Sequence, residues 1–186
     1  MKKLFAVFTL VGMLLSGCVY VDMNVENKPS PGVDFSKLKT FGFKKRSETR
    51  KDLEAVLLNS AKLELQSKGF VFDADNPDFL VMVGFGSKAF VERGVTYRRD
   101  AVEYDFISKS YSEIGVNQAP DATRQDNTVR VYLLTADKTY LWKGTASSVD
   151  FEGVGVVGKC LVKGALEKFP AADGQYRAKF NVNDCQ

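Results

Sequence analysis

The patterning of this chain predicts an α+β fold, and three observations carry that prediction. Short apolar runs of strand period recur along it, two stretches of helical period interrupt them, and Gly, Pro, Asn and Asp punctuate the boundaries. Its 186 residues suit one domain of ordinary size. A hydrophobic content of 45% with 26% charged residues is that of a folded globular protein, not a disordered one. Histidine is absent, which excludes a His base and any His-ligated metal site.

The chain opens with a positive segment, Met1-Lys2-Lys3, followed by the uncharged run Leu4 to Leu15. That run spans about 18 Å as a helix, short of the roughly 30 Å core of a bilayer, so it reads as the apolar part of a signal peptide. Leu15-Ser16-Gly17-Cys18 then resembles a bacterial lipobox, with an aliphatic residue and two small ones before a cysteine. The resemblance implies a signal peptide over 1–17, recognised at Leu15, Ser16 and Gly17, cleavage before Cys18, and acylation of the Cys18 thiol and amine. Two or more acyl chains make a stable anchor. Val19, in place of Asp, resembles an outer-membrane destination with the domain facing the periplasm. Without Lys2 and Lys3 the 26 basic residues fall to 24 against 23 acidic, so the pI near 8.7 belongs to the precursor and no nucleic-acid partner is expected.

Residues 18–32, rich in Asn, Pro and Gly, are expected to form a lipidated tether reaching up to about 45 Å. A single domain is expected over 33–186. Lys39 to Phe43 alternates as a first strand. Thr49 and Asp52 give a capping signal for a helix whose Leu53, Val56, Leu57, Ala61 and Leu65 share a face, with Gly69 placed as its C-terminal cap. Phe70 to Phe72 continues the chain to the turn Asn76-Pro77-Asp78. Phe79 to Phe85 is dense enough for a central strand, with an extension through Val91. Val129 to Thr135 and Thr139 to Ser147 read as a hairpin, with Trp142 and Tyr140 on one face and Leu141 on the other. Val154 to Phe169 is the second helix, ended by Pro170. Tyr176, Ala178, Phe180 and Val182 alternate as an edge strand that carries Cys185 towards Cys160. With Cys18 lipidated, these two cysteines form an even pair in an oxidising compartment, so a disulfide is expected, the alternative being two free thiols.

Glu92 to Asp126 is longer than an ordinary connection and reads as a polar hairpin or loop insertion. Arg93, Tyr97, Arg98, Arg99, Tyr104 and Tyr111 give it an interaction-surface composition. The competing reading is a twisted hairpin whose aromatics cover the sheet.

Catalytic constellations are thin. Gly153-Val154-Gly155-Val156-Val157-Gly158 matches a dinucleotide fingerprint, but fewer than thirty residues follow Gly158 and no strand presents an acidic partner. These glycines, with Gly164, instead suit close packing of the helix on the sheet. Asp73, Asp75 and Asp78 cluster around Pro77 in a turn, the place for capping carboxylates. Asp73 to Asn76 lacks the Gly and terminal Glu of a calcium loop. No cofactor, metal or catalytic residue is assigned.

In order along the chain come Asp34-Phe35-Ser36-Lys37-Leu38-Lys39-Thr40-Phe41, Pro77-Asp78-Phe79-Leu80-Val81 and Trp142-Lys143-Gly144-Thr145-Ala146, followed by a helix closing at Phe169-Pro170. This series resembles the bacterial lipoproteins grouped as domain of unknown function 4136, over about residues 33–170. The resemblance implies a two-layer α+β sandwich, with two helices on one face of a mainly antiparallel sheet, and supplies no catalytic residues. Residues 171–186 are a C-terminal extension to that pattern. The expected function is a non-enzymatic, membrane-anchored envelope accessory that binds a protein or polymer. The alternatives are a carrier of a small apolar or lipid ligand and a periplasmic hydrolase using carboxylates.

Overall fold

The computed structural model describes residues 20–44, 50–92, 102–105, 110–113, 122–149, 154–170 and 173–185. The strands in chain order are β1 (Tyr20–Pro29), β2 (Thr40–Phe43), β3 (Val71–Phe72), β4 (Phe79–Glu92), β5 (Val102–Asp105), β6 (Ser110–Glu113), β7 (Ala122–Leu134), β8 (Tyr140–Val149) and β9 (Gly174–Asn181). The helices are α1 (Lys51–Ser67) and α2 (Val154–Leu166). Seven strands form one sheet in the order β3-β2-β4-β7-β8-β1-β9, and among the described residues β5 and β6 form a separate two-stranded sheet.

The sheet is mixed and not mainly antiparallel as expected. β2 runs parallel to both β3 and β4, whereas β4–β7, β7–β8, β8–β1 and β1–β9 are antiparallel. The parallel pairs arise because the chain passes through α1 between β2 and β3, and a parallel return needs such a crossover.

A second difference concerns the expected tether. Tyr20 to Pro29 is a ten-residue strand held on both sides, with Asn24 opposite Ser147 of β8 and Arg177 of β9. Val21, Met23 and Val25 are buried on alternate positions, and Asn27 follows them inward. Each apolar side chain so buried contributes roughly 2 kcal/mol, which outweighs the turn-like composition further along.

α1 begins after Arg50, which makes no side-chain capping bond, and Thr49 lies outside the described residues. The C-terminus of α1 is as expected. Gly69 has φ +89°, its N–H donates to the Gln66 carbonyl at 3.0 Å, and the Phe70 N–H donates to the Leu65 carbonyl at 3.1 Å, a Schellman closure. α1 packs on β4 and on α2, and α2 packs on β1, β7 and β8. α2 ends at Leu166, short of the expected Phe169, whose buried ring meets Phe35, Phe70 and Trp142.

Trp142 is buried as expected, but Tyr140 does not share its face. Tyr140 is 54% exposed and lies 5.6 Å from the Tyr132 ring. A register shift between Leu133 and Leu134 leaves Leu141 without a register partner on β7 and reverses the alternation there. Gly144 answers crowding beside Trp142, since a Cβ there would run into the Ala165 carbonyl of α2 and the Trp142 indole. Gly164 does the same over β1, where a Cβ would meet the Met23 sulfur. The amide of Asn27, turned so that its nitrogen donates, reaches the same Ala165 carbonyl at 3.3 Å.

Candidate interaction surface

Sequence reasoning placed the sites at three places, and the described residues reach only some of them. Leu15, Ser16, Gly17 and Cys18 lie outside the described residues, as do Arg93, Tyr97, Arg98 and Arg99. Tyr104 and Tyr111 are register partners across β5 and β6. Cys160, in α2, is bridged to Cys185, in the single 3-10 turn that follows β9. The lower part of the expected insertion belongs to the sheet, because β4 and β7 stay paired as far as Glu92 opposite Ala122.

The surface that sequence reasoning missed lies across β8, β1 and β9. Strand alternation sends Val21, Met23 and Val25 inward, so Asp22, Asn24 and Glu26 point the other way beside Thr145 and Ser147 of β8 and Gln175 and Arg177 of β9. Two adjoining grooves of about 430 and 390 Å³ run there, sharing Asn24, Ser147 and Arg177. The alternation of the polar residues Asp22, Asn24 and Glu26 is the signal in the sequence, masked by the linker-like Asn27, Pro29, Pro31 and Gly32 that follow.

Local contacts order these side chains. Lys28 Nζ lies 2.7 Å from Glu26, Arg177 Nε donates to Asn24 Oδ1 at 3.4 Å, and Lys179 Nζ lies 3.9 Å from Asp22. The hydrogen bond from Lys28 holds the Glu26 carboxyl below its usual value against a partial desolvation that opposes it. Such exposed pairs position groups and add little stability. The Thr145 hydroxyl has no partner among the described residues. The arrangement offers donors and acceptors to a polar partner, and it brings no pair of carboxylates together with a nucleophile.

The turn carboxylates are structural. Asp78 accepts from the backbone N–H groups of Lys39 at 2.7 Å and Thr40 at 2.8 Å, which depresses its pKa. Asp73 accepts from the N–H groups of Asn76 and Asp75 at 3.0 and 2.9 Å and is depressed for the same reason. A general acid needs the opposite shift. No group of three or more potential metal ligands occurs among the described residues. Val154 to Gly158 of the GxGxxG stretch form the start of α2, and Gly158 is buried within it, while Gly153 lies outside the described residues.

The family described as Domain of unknown function (DUF4136) matches residues 25–171. No curated protein matches the chain. Among solved structures, a PDZ domain protein from Parabacteroides distasonis is similar at 16% identity, with a TM-score of 0.53 over 96% of this chain. The match spans only 42% of that protein, so the likeness is one of fold. PelC from Paraburkholderia phytofirmans, described as a dodecamer, gives a TM-score of 0.41 at 14% identity in two crystal forms, covering 77% and 81% of this chain and 94% and 99% of PelC.

Proposed function

The chain belongs to the family described as Domain of unknown function (DUF4136), and from that premise we propose that it is a lipid-anchored, non-enzymatic lipoprotein of the outer membrane. It faces the periplasm and binds another component of the cell envelope, protein or polymer. The observation that carries this reading is the series Leu15-Ser16-Gly17-Cys18 behind a short apolar run. The bridged Cys160 and Cys185 agree with an oxidising compartment. Among the described residues no helix is long and apolar enough to cross a membrane. The anchor in this proposal is the acylated cysteine.

The body is a two-layer sandwich in this reading, with α1 and α2 over the sheet face that carries Val21, Met23 and Val25. The contact surface is the polar grooves on β8, β1 and β9, together with the tyrosine- and arginine-rich segment between β4 and β7. The mostly polar side chains lining these grooves favour a polar partner over an apolar ligand, and Asp73 and Asp78 are occupied by the backbone N–H groups of their turn. The test is Cys18→Ala in cells fed a labelled fatty acid. Loss of label and of membrane retention is expected. Retention in the outer-membrane fraction without Cys18 would overturn the proposal.

A further inference from the structure

We propose that the end of the sheet where β1 begins rests on the phospholipid surface, with Tyr20, Val149 and Lys179 as its contacts. The proposal rests on acylation of Cys18 and adds an orientation to it. Strand β1 starts at Tyr20, two residues after Cys18, so the lipid lies within about 7 Å of the folded body. That is far less than the reach of a tether. The strand cannot swing on its anchor, because it is paired with β9 from Tyr20, opposite Asn181, and with β8 from Asn24 onward, and the Ser148 hydroxyl donates to the Asp22 carbonyl at 2.7 Å.

The residues at this end suit a headgroup layer. Tyr20 is 47% exposed and Val149 42% exposed. Val149 lies two positions beyond Ser147, the partner of Asn24, and so stands near the start of β1. Lys179 Nζ lies 5.1 Å from the centre of the Tyr20 ring. A tyrosine ring with a cation beside it fits an interface that is apolar below and anionic above. The β4–β7 ladder extends the same way to Glu92 and Ala122, so the segment 93–121 joins the sheet at this end too. The opposite end, at Tyr140, is about 30 Å away along the strands.

The test uses the full lipoprotein, purified from cells and reconstituted in vesicles of phosphatidylethanolamine and phosphatidylglycerol that carry a shallow lipid-borne quencher. Single thiols are introduced as Tyr20→Cys, Val149→Cys, Lys179→Cys and Tyr140→Cys and labelled with a fluorophore. Lys179→Cys reads the same end if replacing Tyr20 disturbs β1. Quenching at 20, 149 and 179 is expected to exceed that at 140 by about twofold or more. The mass of the N-terminal peptide is measured on the same samples. Equal quenching at every position on a lipidated protein overturns the orientation alone. A peptide without fatty acid overturns the anchoring, and the orientation with it.

Discussion

Met23→Ala separates a packed first strand from a lipidated tether. Met23 is buried between β8 and β9 on the side facing α2, with its sulfur against Gly164. Truncating a buried methionine costs about 2–5 kcal/mol, depending on how far the surroundings collapse. Collapse is restricted here, because α2 already approaches the sheet closely where Gly144 meets the Ala165 carbonyl. A cost of about 3 kcal/mol follows, and at about 2–4 °C per kcal/mol the melting temperature falls by roughly 6–12 °C. The assay is thermal unfolding of the mature chain followed by circular dichroism. Gly164→Ala supplies an internal control, since its added methyl meets Met23 and should be better tolerated in the Met23→Ala background, with a coupling of about 0.5–3 kcal/mol. A tether residue would change stability by less than about 0.5 kcal/mol. A shift below about 2 °C without coupling would therefore refute the packing of β1.

Three further outcomes are expected. Replacing Cys160 and Cys185 together by Ala opens a cross-link between positions 25 apart, which loop closure values at about 3.5 kcal/mol. The urea midpoint should drop by about 2 M, and an unchanged midpoint would count against the bridge. Gly144→Ala should destabilise by about 1–3 kcal/mol in chemical denaturation, whereas Gly86→Ala, where an added Cβ meets nothing, should stay within about 0.5 kcal/mol. Asp78 has its folded pKa held below the ordinary 3.8 by the Lys39 and Thr40 N–H groups. Its contribution is present above the unfolded value and lost as pH falls through the folded one. Acid unfolding profiles should accordingly be flatter for Asp78→Asn, and a profile identical to the wild type would refute that role.

Local signals in the sequence were sufficient wherever a few neighbouring residues decide the outcome. Gly69 closes α1, the Thr135 N–H donates to the Thr139 carbonyl at 2.9 Å to close the hairpin turn just before β8, and Tyr176, Ala178 and Phe180 alternate along β9, which lies at the sheet edge as its position suggested. The pairing of Cys160 with Cys185 followed from their number, and the family from the order of its motifs. Where two signals competed within one segment, sequence alone chose wrongly. Val21, Met23 and Val25 alternate like a strand, yet Asn27, Pro29, Pro31 and Gly32 nearby look like a linker.

Only long-range pairing resolves that competition. β1 is a strand because β8 and β9, more than a hundred residues away in sequence, supply partners on both sides. The parallel setting of β2, β3 and β4, the bulge that parts Tyr140 from Trp142, and the polar grooves between β8 and β9 have the same origin. By itself, then, the sequence determined the helices, the hairpin and the bridged cysteines. The tertiary structure decided which strands lie side by side, because hydrogen-bond ladders join residues whose proximity no local pattern records.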